Sequence, residues 1–354
     1  MSTTGRNGMR RIAAKIGVLL LATLSLSPPL RAQRAVLLYV IDGLQLDAAR
    51  VAMNSGAENM KYLYENGAWA KEAYCTSPEA RVVLPDDTRP WGNASPPNVA
   101  MHTGTHIFES KEIDDVFLSA QKHGIRSVFA GSAENYSVIN TSTFSLSLDQ
   151  NDSLVVAFVI DKLLKDSASL LSVHVQQLRR TWKGPVDELR PDSPYISAVV
   201  EADRLLGTII DALKSRGLWD STFVIITSDH GMGQTERSDH PSSVRSSWET
   251  YLNFYGPGIR KGVSIPYAES PDIALFIAHV LRLSPLAGHT GGVSDQSLRP
   301  TTGVLPVHVF ENGPESIEHP MYIRRFLESH SWSAPESYAA YREAMIAFVG
   351  STTH

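Results

Sequence analysis

Cysteine is almost missing from this chain. Cys75 is alone among 354 residues, so no internal disulfide can close and no Cys-x-x-Cys zinc site can form. A basic excess is missing too: 32 Lys plus Arg face 37 Asp plus Glu, a net charge of −5. A nucleic-acid scaffold binder needs a cationic face for phosphate backbones, and nothing here supplies one. There is no internal repeat, no low-complexity tract and, after the first thirty residues, no apolar run of membrane-spanning length. What remains is ordinary globular composition, 43% hydrophobic and 19% charged, with ample length for a large core. Any metal must be held by His, Asp and Glu.

Residues 1–32 carry Arg6, Arg10, Arg11, Lys15 and Arg31 and no acid. Basic residues precede the apolar run Ile16 to Leu26, and Leu30-Arg31-Ala32 ends on a small residue before Gln33. That order predicts a secretory signal peptide over 1–32, with an uncleaved anchor as the alternative; Arg10-Arg11 supplies the pair of a twin-arginine signal, but the residues after it do not complete that pattern. Removing those five positive charges takes the net charge from −5 to −10. The expected product is an acidic periplasmic or secreted protein spanning 33–354, without a stable membrane span. In an oxidising compartment a single thiol is expected to be buried and inert.

Short runs rich in Val, Ile and Leu recur at Ala35–Ile41, Arg126–Ala130, Leu170–Val175, Phe223–Thr227 and Tyr251–Tyr255. Continuous rather than alternating hydrophobicity predicts strands buried on both faces, as in a largely parallel sheet covered by helices. The clearest helix runs from Pro194 to Arg216, with Ile196, Val199, Val200, Leu206, Ile209, Ile210 and Leu213 on one stripe. Ser193 suits its N-cap, Pro194 its first turn and Gly217 its stop. Alternating strands and helices predict an α/β architecture in one catalytic domain. The stretch from Cys75 to Pro97 reads as a long functional loop. The tail from about residue 303 to 354 reads as a helical extension, with Trp332, Tyr338, Tyr341 and Met345 packing on the body.

Two predicted strands end in acids: Ala35–Ile41 runs into Asp42-Gly43, and Phe223–Ser228 into Asp229-His230-Gly231. Ligand crevices of open α/β sheets lie beyond the carboxyl ends of strands, so these acids share one rim. Carboxylate oxygen and imidazole nitrogen both suit zinc. A strand-end Asp is as often a turn former or helix cap.

Val40-Ile41-Asp42-Gly43, Ser95-Pro96-Pro97-Asn98 with Thr103-Gly104, and Thr227-Ser228-Asp229-His230-Gly231-Met232 together resemble the alkaline phosphatase superfamily. The resemblance is nearest to its type I phosphodiesterase/nucleotide pyrophosphatase branch. Pro191-Asp192-Ser193-Pro194 and Tyr255-Gly256-Pro257-Gly258-Ile259 extend the likeness over about 35–283. It implies a three-layer α/β/α sandwich with a largely parallel central sheet. It also implies one or two divalent ions, zinc first, and displacement at the phosphorus of a small-molecule phosphate ester. Asp42, Asp229 and His230 would hold one ion, with Ser95 as nucleophile completing its shell and Asn98 donating its amide to a phosphoryl oxygen.

Ser95 lies eight residues before Thr103, where the family usually has nine; anchoring on Thr103 would select Ala94 instead, and Thr88 is a more distant substitute. For a second ion, counting back from Ser193 selects Lys183 and Asp187, whereas aligning from His174 selects Arg179. Either way a cation stands where the family has an acid, and Arg179 or Lys183 would then face substrate. His240 is the better match for the remaining ligand, ahead of His289, and His240 or Asp187 are candidate bases. The alternatives are a sulfatase-like hydrolase and an inactive ligand-binding member. The formylglycine pattern Cys-x-Pro-x-Arg is absent, because Cys75-Thr76-Ser77-Pro78-Glu79-Ala80-Arg81 has its parts at the wrong spacing.

Overall fold

The computed structural model describes residues 34–79, 95–106, 115–131, 141–148, 151–184, 189–235, 238–284, 286, 303–332, 334–335 and 337–352. The stretch 1–32, expected to be a signal peptide, lies outside these residues, as do Asp187, His289, Thr88, Ala94 and most of the expected 75–97 loop.

Among the described residues eight strands form one sheet: β1 (Ala35–Ile41), β2 (Ala68–Tyr74), β3 (Ser127–Gly131), β4 (Phe144–Ser147), β5 (Leu170–Val175), β6 (Thr222–Thr227), β7 (Leu252–Tyr255) and β8 (Val263–Glu269). Their order is β4-β3-β5-β1-β6-β7-β2-β8. Only β7 runs antiparallel to its neighbours β6 and β2; the other pairs are parallel.

β1 explains the layering. Its seven residues are all buried, and successive side chains point to opposite faces. Val36, Leu38 and Val40 enter one core, whereas Ala35, Leu37, Tyr39 and Ile41 enter the other. The first core is roofed by the helices Pro96–Thr103, Val116–Lys122, Ser270–Leu281 and Tyr322–Ser329; the second by Leu46–Met53, Glu58–Glu65, Asp152–Asp166 and Pro194–Ser215. The expected three-layer sandwich is present. Each fully buried Leu or Ile contributes ~1.5–3 kcal/mol, so a strand shielded on both faces is firmly anchored.

The long helix Pro194–Ser215 starts as its sequence predicts: the Ser193 hydroxyl accepts from the Ile196 N–H at 3.1 Å. Gly217 follows it at φ +65°. The tail is less helical than expected, with only a 3-10 turn at Val307–Val309 before the helices Tyr322–Ser329 and Tyr338–Thr352. Tyr341 and Met345 are buried in the first core, and Trp332 packs at its margin. Cys75 is buried, and burial pushes its thiol well above the ordinary range.

Candidate metal centre and nucleophile

β1 lies between β5 and β6, with Ile41 opposite Val175 and Val40 opposite Thr227. Their carboxyl ends therefore open onto one crevice, where Asp42, Asp229 and His230 converge. One ligand atom from each lies within 4.8 Å of the others, and all three residues are buried. His230 Nε2 is 3.6 Å from both Asp42 Oδ1 and Asp229 Oδ2. A tetrahedral shell with bonds of about 2.0 Å has edges of ~3.3 Å, so small shifts close these atoms on an ion.

Local backbone chemistry builds the cluster. Asp229 Oδ1 accepts from the N–H groups of His230, at 3.0 Å, and Gly43, at 3.2 Å. Gly43 has φ +75°, and a Cβ there would come within 2.5 Å of Met232 Sδ. At Gly231 a Cβ would sit 2.0 Å from the Ser246 carbonyl, so the turn that carries His230 excludes any side chain. His230 Nδ1 donates to the Gly231 carbonyl at 2.8 Å, leaving the Nε2 lone pair for the crevice. Metal-binding histidines are commonly oriented in this way. Burial lowers the His230 pKa despite the pull of Asp229 and Asp42, which favours the neutral ligand form.

Asp42 supplies the test of fit. Its Oδ2 accepts from Gln176 Nε2 at 3.1 Å, but Oδ1 is buried with no hydrogen-bond partner. An orphaned buried acceptor costs about 1–3 kcal/mol, and more when charged. Burial pushes the Asp42 carboxyl up, yet His174, His230 and Arg179 outweigh it and hold it well below the usual carboxylate range. An ionised, unpartnered oxygen facing an imidazole lone pair and a second carboxylate fits a divalent cation.

Ser95 is the N-cap of the Pro96–Thr103 helix but makes no capping bond. Pro97 lacks the N–H that a cap would seek at the second helical position. The Ser95 hydroxyl is buried and unpartnered, one turn before Asn98 and so on the same helix face. Asn98 Nδ2 lies 3.5 Å from Asp229 Oδ2.

Arg179 grips Asp239 with two bonds, Nε to Oδ2 at 3.1 Å and Nη2 to Oδ1 at 3.2 Å. Burial disfavours its charge, but Asp42, Asp239 and Asp229 more than compensate. Burial likewise opposes ionisation of Asp239, which His240 and Arg179 nevertheless hold well below the usual carboxylate range. His240 Nδ1 bonds Asp239, and its ring stacks on that of His230. Among the described residues His240 stays outside the three-residue ligand group. Lys183 is exposed. The charge of Arg179 reaches Asp42 and Asp229.

His174, in the sequence only a landmark for placing Arg179, and Gln176, not singled out there, both reach the cluster. Burial disfavours the charged ring of His174, but Asp229 and Asp42 raise its pKa. The available signal was polar: Ser172 and His174 alternate within the otherwise apolar strand Leu170–Val175.

The sequence profile of the type I phosphodiesterase/nucleotide pyrophosphatase family matches residues 118–279. That segment includes Arg179, Asp229, His230 and His240 and excludes Asp42 and Ser95. Zebrafish (Danio rerio) arylsulfatase K is 32% identical over 124 residues, 34% of this chain and 23% of that protein. Human (Homo sapiens) ectonucleotide pyrophosphatase/phosphodiesterase family member 5 is 46% identical over 57 residues, 15% of this chain and 12% of that protein. These matches span less than a quarter of either curated relative. The murine member 5, solved as an inactive form in complex with AMP, superposes with a TM-score of 0.53 at 16% identity. That superposition covers 72% of this chain and 96% of the other.

Proposed function

We propose, from the premise that this chain belongs to the alkaline phosphatase superfamily on its nucleotide pyrophosphatase/phosphodiesterase branch, that it is an exported, metal-dependent phosphoesterase. Its substrate would be a small-molecule phosphate diester or monoester, with no nucleic-acid scaffold. The observation that carries this reading is the pair of unpartnered buried oxygens, Asp42 Oδ1 and Ser95 Oγ, one on the ligand cluster and one at the N-cap of the helix that carries Asn98.

Asp42, Asp229 and His230 would hold a divalent ion, with zinc the expected identity. When bound, such an ion supplies positive charge that favours ionisation of a hydroxyl and neutralises a phosphoryl oxygen. Ser95 Oγ would attack phosphorus as the ester alkoxide leaves, giving a phosphoserine that water later hydrolyses. Asn98 would donate its amide to a non-bridging oxygen as negative charge grows there. Arg179 would add a fixed cation beside the crevice. The Asp239-paired His240 is the candidate base for the hydrolytic water, with Asp187 the alternative.

The N-terminal segment 1–32 is read as an export signal, leaving a single catalytic domain over 33–354 that acts in the periplasm or outside the cell. Among the described residues no helix is long and apolar enough to cross a membrane.

A second reading, a sulfatase-like hydrolase without formylglycine, is favoured by the 124-residue likeness to arylsulfatase K. Metal analysis of the purified chain, with p-nitrophenyl phosphate, bis-p-nitrophenyl phosphate and p-nitrophenyl sulfate assayed in parallel, separates them. Bound metal with phosphate-ester turnover supports the phosphoesterase, and turnover of the sulfate ester alone supports the sulfatase. No metal and no turnover leaves an inactive ligand-binding member.

A further inference from the structure

The helix Pro96–Thr103 meets β5 through two buried polar pairs. His102 Nε2 lies 2.9 Å from Ser172 Oγ, and His174 Nδ1 lies 3.1 Å from Asn98 Oδ1. Four residues along a helix advance about 6.0 Å, and two along a strand about 6.6 Å. The spacings match, so the i, i+4 pair on the helix engages the i, i+2 pair on the strand. His102 Nδ1 also donates to the Asn98 carbonyl at 2.6 Å. Asn98 is therefore held at its backbone by one imidazole and at its side chain by another.

The orientation of the Asn98 amide follows from its neighbours. Asp229 Oδ2 can only accept, so the amide edge 3.5 Å away must be the NH2. The opposite edge is then the carbonyl oxygen, and His174 Nδ1 must carry the hydrogen that it accepts. The other edge of the same ring, Nε2, lies 3.6 Å from Asp42 Oδ2 and 3.7 Å from Asp229 Oδ2; those oxygens only accept, so this edge holds them as a second N–H donor. One side chain thus touches two proposed metal ligands and the proposed phosphoryl-oxygen donor.

We propose that His174 is a positioning residue with two separable tasks: its Nδ1 edge fixes the Asn98 amide with NH2 toward the crevice, and its Nε2 edge sets the Asp42 and Asp229 carboxylates for the ion. The first task rests on the phosphoesterase reading above; the second requires only that the cluster binds metal. Outer partners of metal sites are typically worth about 10–100-fold in affinity or activity.

Two near-isosteres separate the tasks. In His174→Asn the amide nitrogen replaces Nδ1 and nothing replaces Nε2; in His174→Gln the reverse holds. Zinc affinity is read by chelator competition, and kcat and KM with bis-p-nitrophenyl phosphate at saturating zinc. The expected result for His174→Asn is kcat within about threefold of wild type and zinc affinity reduced ~10-fold or more. For His174→Gln it is near-normal zinc affinity and kcat reduced ~10-fold or more, with KM little changed. Equal losses of both properties in both variants, or no loss in either, overturn the proposal. Should neither variant fold, nitrogen-15 NMR of the histidine-labelled wild type decides: a protonated Nδ1 at His174 supports it and a bare Nδ1 refutes it. A wild-type chain inactive on every ester would sink the phosphoesterase reading, while the zinc and NMR measurements would still judge His174.

Discussion

The imidazole of His230 lies flat against that of His240, with centroids 4.1 Å apart and planes 4° from parallel. His240 is itself tied to Asp239, and Asp239 to Arg179. The ring that offers Nε2 to the crevice is thus braced by a chain of charge-assisted bonds reaching Arg179 on the short helix Gln177–Thr181. Removing the brace with His240→Ala is expected to lower metal affinity by about 10-fold while leaving the cluster residues in place. Chelator titration of the variant checks this, and an affinity equal to wild type contradicts it.

Ser95→Ala and Asp42→Asn should fail in different ways. The Ser95 hydroxyl has no hydrogen bond to lose, so Ser95→Ala should keep its melting temperature and the three Asp and His ligands of the ion while turnover falls by more than about 10³-fold. Asp42→Asn should lose metal affinity by more than the ~10–100-fold expected of an outer partner. Metal content measured alongside turnover distinguishes the two; a Ser95→Ala enzyme with normal turnover would remove the proposed nucleophile.

Arg179 and Lys183 can be ranked. Arg179 is clamped on Asp239 and acts electrostatically on Asp42 and Asp229, whereas Lys183 is exposed. Arg179→Ala should cost ~10-fold or more in kcat/KM, since it also frees Asp239 and His240. Lys183→Ala should cost less. Steady-state kinetics of both variants test the order, and a larger loss at Lys183 would reverse it.

Acid should loosen the fold through His102. Burial lowers this ring to about 4, against ~6.5 in an unfolded chain. Between those values the unfolded chain binds a proton that the folded one does not, so stability rises with pH. The contribution is complete above ~6.5 and is lost as pH falls toward 4. It is worth up to about 3 kcal/mol at 1.36 kcal/mol per pKa unit. Urea midpoints at pH 7 and pH 4.5 should therefore separate more for wild type than for His102→Gln; parallel shifts would assign the acid sensitivity elsewhere.

The strands legible in the sequence are those buried on both faces. β1, β5 and β6 appeared as continuous apolar runs because water reaches neither side. β2, β4 and β8 did not. Ala68–Tyr74 mixes Lys71 and Glu72 into a half-exposed pattern, Phe144–Ser147 is a four-residue edge strand, and Val263–Glu269 carries Pro266 on the opposite edge, where a missing N–H is tolerated. At the site, Asp42, Asp229 and His230 were legible because each follows a recognisable strand. His174 was not, because its partners Asn98, Asp42 and Asp229 are distant in the chain, and only the packing of helix on sheet brings them to one ring.

Asp42 and Asp229 leave the ends of β1 and β6, neighbours near the middle of the eight-strand sheet. Such strands exchange their amide hydrogens only when the whole domain opens, unlike edge strands and loops that fray on their own. While that central pairing holds, the backbones that carry the two carboxylates stay side by side. An ion held there would add its binding free energy to the stability of the whole scaffold, so a chelator that strips the cation should shorten the lifetime of the entire sheet rather than soften one rim of it.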